Sequence, residues 1–137
     1  MSVINGNKKI IIAGAGRFGS RLSGILSERG FDVTIIEKDK GHFRRIPEIF
    51  SGFDVLGDAT DVDILEQNGI KKTDIFIATT EDDNVNLFLA DVAKKIYGVS
   101  NVILRLKNNE KRALLIDDNI NVVSPVEMSL ATVEAFL

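Results

Sequence analysis

Short apolar runs alternate with longer amphipathic stretches along the whole chain. Lys9 to Ala13 (KIIIA) reads as a buried strand, bounded by the glycines that follow. From Arg17 to Glu28, the residues Phe18, Leu22, Ile25 and Leu26 recur at helical spacing, and Gly30 supplies a stop. Asp32 to Glu37 (DVTIIE) is apolar and β-branched, as suits a strand covered on both faces. Lys40 to Phe50 predicts a second helix with Pro47 as its weak point. Asp54 to Leu56 predicts a short strand ending at Gly57, and Asp61 to Gln67 a helix ended by Asn68-Gly69. Asp74 to Ala78 follows as a fourth strand, and Asp82 to Tyr97 as the longest helix, stopped by Gly98. Asn101 to Leu106, Asn109 to Ile116 and Val122-Val123 then read as strand, short helix and strand. Pro125 opens a last helix through Leu137, with Ser124 placed to cap it.

Alternation this regular implies an α/β fold: a doubly wound, mainly parallel six-stranded sheet with helices on both faces and right-handed crossovers. The 137 residues suit one domain, 1–137, and no linker, low-complexity tract or solenoid-period repeat interrupts the pattern.

Composition narrows the chemistry. There is no cysteine, which removes disulfides and thiolate metal sites, and the single histidine removes a His-rich zinc site. That histidine, His42, stands in the charged stretch GHFRR and reads as a plain surface residue. With a net charge of -3 and no dense basic block, the footprint of nucleic-acid binding is missing. No apolar run approaches a membrane span, and the start MSVINGNKK lacks the apolar core of a secretion signal, so the expected location is the cytoplasm.

Gly14-Ala15-Gly16-Arg17-Phe18-Gly19 is a GxGxxG sequence that directly follows a predicted strand and opens a predicted helix. In that context it is a Rossmann-type phosphate loop: the first glycine permits the tight turn, the second lets backbone approach a pyrophosphate, and the third lets helix pack on strand. The helix N-terminus adds unpaired N–H groups and the positive end of its dipole. Glu37 ends the second strand 21 residues after Gly16, where a carboxylate reaches ribose hydroxyls and repels a 2′-phosphate. The competing reading is that Glu37 begins the charged turn with Lys38.

Other candidates lie at strand ends. Gly57-Asp58-Ala59-Thr60 follows the third strand; Asp58 and Thr60 either edge an adenine pocket or, for Asp58, serve a turn or helix cap. Thr79 and Thr80 follow the fourth strand across the same crevice, with Thr80 alternatively capping the next helix. Arg17 can reach a phosphate or stay solvated, and Arg105 can face the crevice edge or pair with Glu81 or Asp82. The run Glu81-Asp82-Asp83 reads as helix N-terminal charge, not as a metal site. No Tyr-x-x-x-Lys pair, Walker loop or nucleophile–base pair is present, so the chain reads as a binding domain and not an enzyme. The alternative is the nucleotide-binding half of an NAD-dependent oxidoreductase.

The segments GAGRFGSRL, VTIIEKD, GDATDVDILEQNGI, DIFIATTEDDNVNL, VILRL and VVSP together resemble the N-terminal domain of the regulators of potassium conductance, the RCK, KTN or TrkA-N type. The resemblance implies that NAD(H), ATP, ADP or AMP binds the crevice. Gly14, Gly16, Arg17 and Gly19 would hold phosphates, Glu37 the ribose, and Asp58, Ala59 and Thr60 would border the adenine. It implies a homodimer or larger ring on the inner face of the cell membrane, gating a membrane-embedded potassium transporter or channel subunit through nucleotide-driven changes of shape. Family members usually continue into a C-terminal regulatory domain, which is expected to be absent from 1–137. The apolar positions Leu130, Val133, Phe136 and Leu137 then suggest a helix docked across a dimer interface, the alternative being docking on the domain's own core. Glu127, in the pattern PVE, departs from the commoner PE and receives no role.

Overall fold

The computed structural model describes residues 8–115 and 119–137. The MSVINGNKK reading falls mostly outside that range, as does Ile116, the predicted end of the short helix. Six strands form one all-parallel sheet: β1 (Lys9–Ala13), β2 (Asp32–Glu37), β3 (Phe53–Leu56), β4 (Ile75–Ala78), β5 (Asn101–Arg105) and β6 (Asn121–Val123). Their order is β3-β2-β1-β4-β5-β6. The chain therefore winds outward from β1 in one direction, returns, and winds outward from β4 in the other, which is the doubly wound α/β arrangement. Register is set along the centre, with Ile12 opposite Ile35 on one side and Ile77 on the other.

Helix α1 (Arg17–Glu28) covers one face of the sheet; α2 (Val62–Gln67) and α3 (Asp83–Asp91) cover the other, and α4 (Pro125–Ala135) ends the chain. The α1 layer packs Leu22 and Leu26 over Ile10, Ile12, Val33, Ile35 and Ile77. Opposite it, Leu65, Leu89 and Ala93 pack over Ile11, Ile36, Phe76 and Leu104. Strands buried on both faces explain the near-continuous apolar runs in the sequence.

Several elements depart from expectation. The helix predicted over Lys40 to Phe50 is a 3-10 helix over Lys40–Arg45 only. Ile46 precedes Pro47, a position that disfavours helical backbone, and takes an extended ψ of 124°. The segment expected as a short helix from Asn109 is likewise a 3-10 helix, Asn109–Leu114. The long helix predicted over Asp82 to Tyr97 is α3, N-capped by Asp82, followed by a π-helical turn over Val92–Ile96. Ser124 holds the N-cap position of α4, yet its hydroxyl caps nothing and is buried without a partner. In α1, the fully buried row is Gly19, Ser20, Ser23, Gly24 and Ser27, whereas Phe18 and Ile25 face outward. Small residues let this helix lie close to the sheet, and the serine hydroxyls are satisfied on carbonyls one turn back, such as Ser20 Oγ donating to Gly16 O at 2.6 Å.

Candidate functional site

The crevice opens where the winding reverses, beyond the C-terminal ends of β1 and β4. Gly14 leaves β1 with φ +108°, and a β-carbon there would lie 2.6 Å from Thr79 O on β4's exit. Only glycine fits both the left-handed backbone and the close approach. A β-carbon on Gly19 would overlap Gly14 O. Both motif glycines thus serve the contact between turn, helix and neighbouring strand. α1 begins at the N-cap Gly16 with no side-chain cap and no acidic residue of its own in its first turn, so its leading N–H groups and dipole face the crevice uncapped, with the Glu81 carboxylate across from them.

A cavity of about 300 Å³ lies in front of this loop. Gly14 and Gly16 form its floor; Glu37, Lys38, Asp58, Ala59, Thr60 and Thr80 stand around it. These are eight of the residues singled out in the sequence. Six others are placed differently. Ala15 is buried behind the loop, and Gly19 packs helix against strand. Thr79 is buried, with its hydroxyl unpartnered. Arg17 is exposed on the first turn of α1. Phe18 lies on the far side of the loop, 5.9 Å beneath the Arg105 guanidinium. Arg105 itself donates from Nη2 to Thr80 O at 3.2 Å and lies 3.8 Å from Glu81 Oε1, the pairing offered as its alternative role.

Glu37 is buried and engaged. Its Oε1 accepts from Ala15 N at 2.6 Å, and Oε2 accepts from Asp39 N at 2.9 Å. It therefore fastens the end of β2 to the glycine loop. A carboxylate has about four lone-pair sites, so two backbone bonds leave capacity for ribose hydroxyls. Asp58 Oδ1 accepts from Thr60 N at 2.9 Å and Thr60 Oγ1 at 2.7 Å, the turn role. Those bonds, with a smaller contribution from Lys38, hold its carboxyl below the ordinary aspartate range against the opposing effect of burial.

The β4–α3 turn is built by Thr80, Asp83 and Asn86. Asn86 is fully buried; it accepts from Thr80 N and Oγ1 at 2.9 and 2.7 Å and donates to Arg105 O at 2.9 Å. Asp83 accepts from Lys107 N and Asn108 N at 2.8 and 2.9 Å. Thr80 does not cap α3; Asp82 does, accepting from Asn84 N at 2.8 Å. Glu81 projects over the cavity, where Lys107 Nζ lies 3.0 Å from its Oε2. That hydrogen bond, joined by the charges of Lys107, Arg105 and Arg45, holds its carboxyl below the usual glutamate range despite partial burial.

Sequence reasoning missed His42. It lines the cavity, with Nε2 3.1 Å from Asp39 Oδ2 and Nδ1 3.4 Å from Glu37 Oε2. The spacing Asp39-x-x-His42 was its one signal, since a 3-10 turn brings i and i+3 together. Among the described residues, no group of three or more His, Cys, Asp and Glu side chains could hold a metal ion. Among them, too, no helix is long and apolar enough to cross a membrane.

The TrkA-N domain family model matches residues 10–125. The chain belongs to the TrkA-N domain family. It is 39% identical over 97 residues to the Trk system potassium uptake protein TrkA of Streptomyces coelicolor, covering 71% of this chain and 44% of that protein. This TrkA-N domain thus spans less than half the length of that relative. The GsuK channel bound to NAD superimposes with a TM-score of 0.72 at 27% identity, over 86% of this chain and 21% of the other. The TrkA-N domain of inner membrane protein ybaL from Escherichia coli superimposes with a TM-score of 0.82 over 98% of this chain and 99% of that one. Its identity is 18%, so it bears on the fold alone.

Proposed function

We propose that this TrkA-N domain is the nucleotide-sensing regulatory part of a potassium transport system. It binds NAD(H) or an adenine nucleotide, ATP, ADP or AMP, in the crevice and performs no catalysis of its own. Its working form is a homodimer or larger ring at the cytoplasmic face of the cell membrane. There a ligand-dependent change of shape gates a membrane-embedded potassium transporter or channel subunit. The observation that carries the reading is one arrangement: an uncapped helix N-terminus behind Gly14 and Gly16, with the buried Glu37 carboxylate on the same cavity wall. The first suits phosphates and the second ribose hydroxyls. Relatives named as potassium uptake proteins and a related channel bound to NAD support the setting.

In this reading the ligand works by preference. Any nucleotide shifts the assembly only as far as its affinities for two shapes differ. Thermal unfolding with ATP, ADP, AMP, NAD, NADH and NADPH tests it. A ligand at 100 times its Kd adds about 2.7 kcal/mol, a rise of several degrees for a domain of this size. A rise with at least one adenine nucleotide, smaller with NADPH, and no hydrolysis or hydride transfer by the pure chain, is the expected result. Turnover would favour the nucleotide-binding half of an oxidoreductase, and no rise with any ligand would defeat the proposal.

A further inference from the structure

The phosphate loop is faced by a carboxylate. A β-carbon on Gly16 would stand 2.9 Å from Glu81 Oε1, so this anionic oxygen lies against the backbone that a pyrophosphate must approach. Glu81 is held there by cations from the end of β5, with Lys107 Nζ 3.0 Å from Oε2 and Arg105 Nη2 3.8 Å from Oε1. The main chain that carries both cations is anchored: Asp83 accepts from Lys107 N, and the Asn86 side-chain amide donates to Arg105 O. The Glu81 side chain is 62% exposed, so it can swing into solvent without unfolding anything.

We propose that Glu81 is a built-in phosphate surrogate, a gate that incoming phosphates displace. The proposal rests on the crevice being a nucleotide site and adds how that site selects among nucleotides. A ligand phosphate at Gly16 meets the Glu81 charge at close range and pushes the side chain out. Lys107 and Arg105 then lose their carboxylate partner and turn to the phosphates instead. Ligands with more phosphate charge gain more from this exchange of partners, and a nucleoside without phosphate gains nothing. The gate therefore sets a threshold on phosphate number and links occupancy to the β5 end of the sheet.

The test is calorimetric titration of the full chain and of Glu81→Gln with adenosine, AMP and ADP. Glu81→Gln keeps the size of the side chain and removes its charge. Two unit charges about 4 Å apart, even in bulk water, predict that the variant binds ADP at least about fivefold more tightly. AMP should gain less, and adenosine should stay within about twofold. In a Glu81→Gln, Lys107→Met double variant, most of the gain for ADP should vanish, because the released cation is gone. Unchanged or weaker ADP binding by Glu81→Gln overturns the gate, and so does an equal gain for adenosine, which would mark a steric effect. If ADP and NADH, titrated side by side, bind neither wild type nor variant, the nucleotide reading fails and the gate with it; binding by wild type without a gain in the variant overturns the gate alone.

Discussion

At the residue scale, single atoms decide what the crevice tolerates. Gly14 combines φ +108° with an approach that puts a β-carbon 2.6 Å from Thr79 O. Strained backbone and overpacking each cost about 1–3 kcal/mol. Gly14→Ala should therefore destabilise the fold by about 3 kcal/mol, read as a lower urea midpoint at unchanged slope. Asp58 offers a pH prediction. Its folded pKa lies below its unfolded one because Thr60 hydrogen-bonds the charged form. Such a group stabilises fully above the unfolded value, and the contribution is lost as pH falls through the folded value. Asp58 is exposed, so its turn is worth only about 0.5–1 kcal/mol. Asp58→Asn should thus be less stable than wild type at neutral pH, and the gap should close in acid, below the ordinary aspartate range. A gap independent of pH would assign the cost to packing.

At the element scale, one buried side chain couples two strand ends. Asn86 joins the turn after β4 to the last carbonyl of β5. Removing it leaves Thr80 and Arg105 main-chain groups buried and unpaired, at about 1–3 kcal/mol. Asn86→Ala should lower the denaturation midpoint accordingly and speed amide exchange at Thr80 N, whose hydrogen bond it accepts. This coupling shows which parts of the fold were legible beforehand. Strands β1 and β2 and helix α1 match their sequence boundaries because apolar runs and flanking glycines agree there. The glycine loop and Glu37 were legible for the same reason: their spacing encodes where β1 and β2 end. His42 was not, because its position depends on Pro47 cutting a helix down to one 3-10 helix, an effect of backbone sterics that charge pattern does not display. The inward face of α1 was legible only in part: Leu22 and Leu26 lie over the sheet as their spacing predicts, but the fully buried row beside them is Gly and Ser. Close packing favours small residues there, and hydrophobic periodicity does not register them.

At the scale of the whole molecule, α4 buries none of its residues against the described part of the domain. Val126, Met128, Leu130, Val133 and Phe136 are each more than half exposed. Exposed apolar area of this kind suits an interaction surface, in keeping with the proposed homodimer. Val133→Asp should shift the chain toward monomer in sedimentation velocity at micromolar concentration while leaving its circular dichroism unchanged. An unaltered sedimentation coefficient would remove α4 from the interface. The central claim is that an adenine nucleotide occupies the crevice, and amide chemical-shift mapping of this 15.1 kDa chain during titration with NADH and with ADP tests it most directly. The account predicts the largest shifts at Ala15, Gly16 and Arg17 behind the phosphates, at Asp39 beside Glu37, and at Gly57 to Thr60. Shifts absent from these amides, or confined to α4, would contradict it.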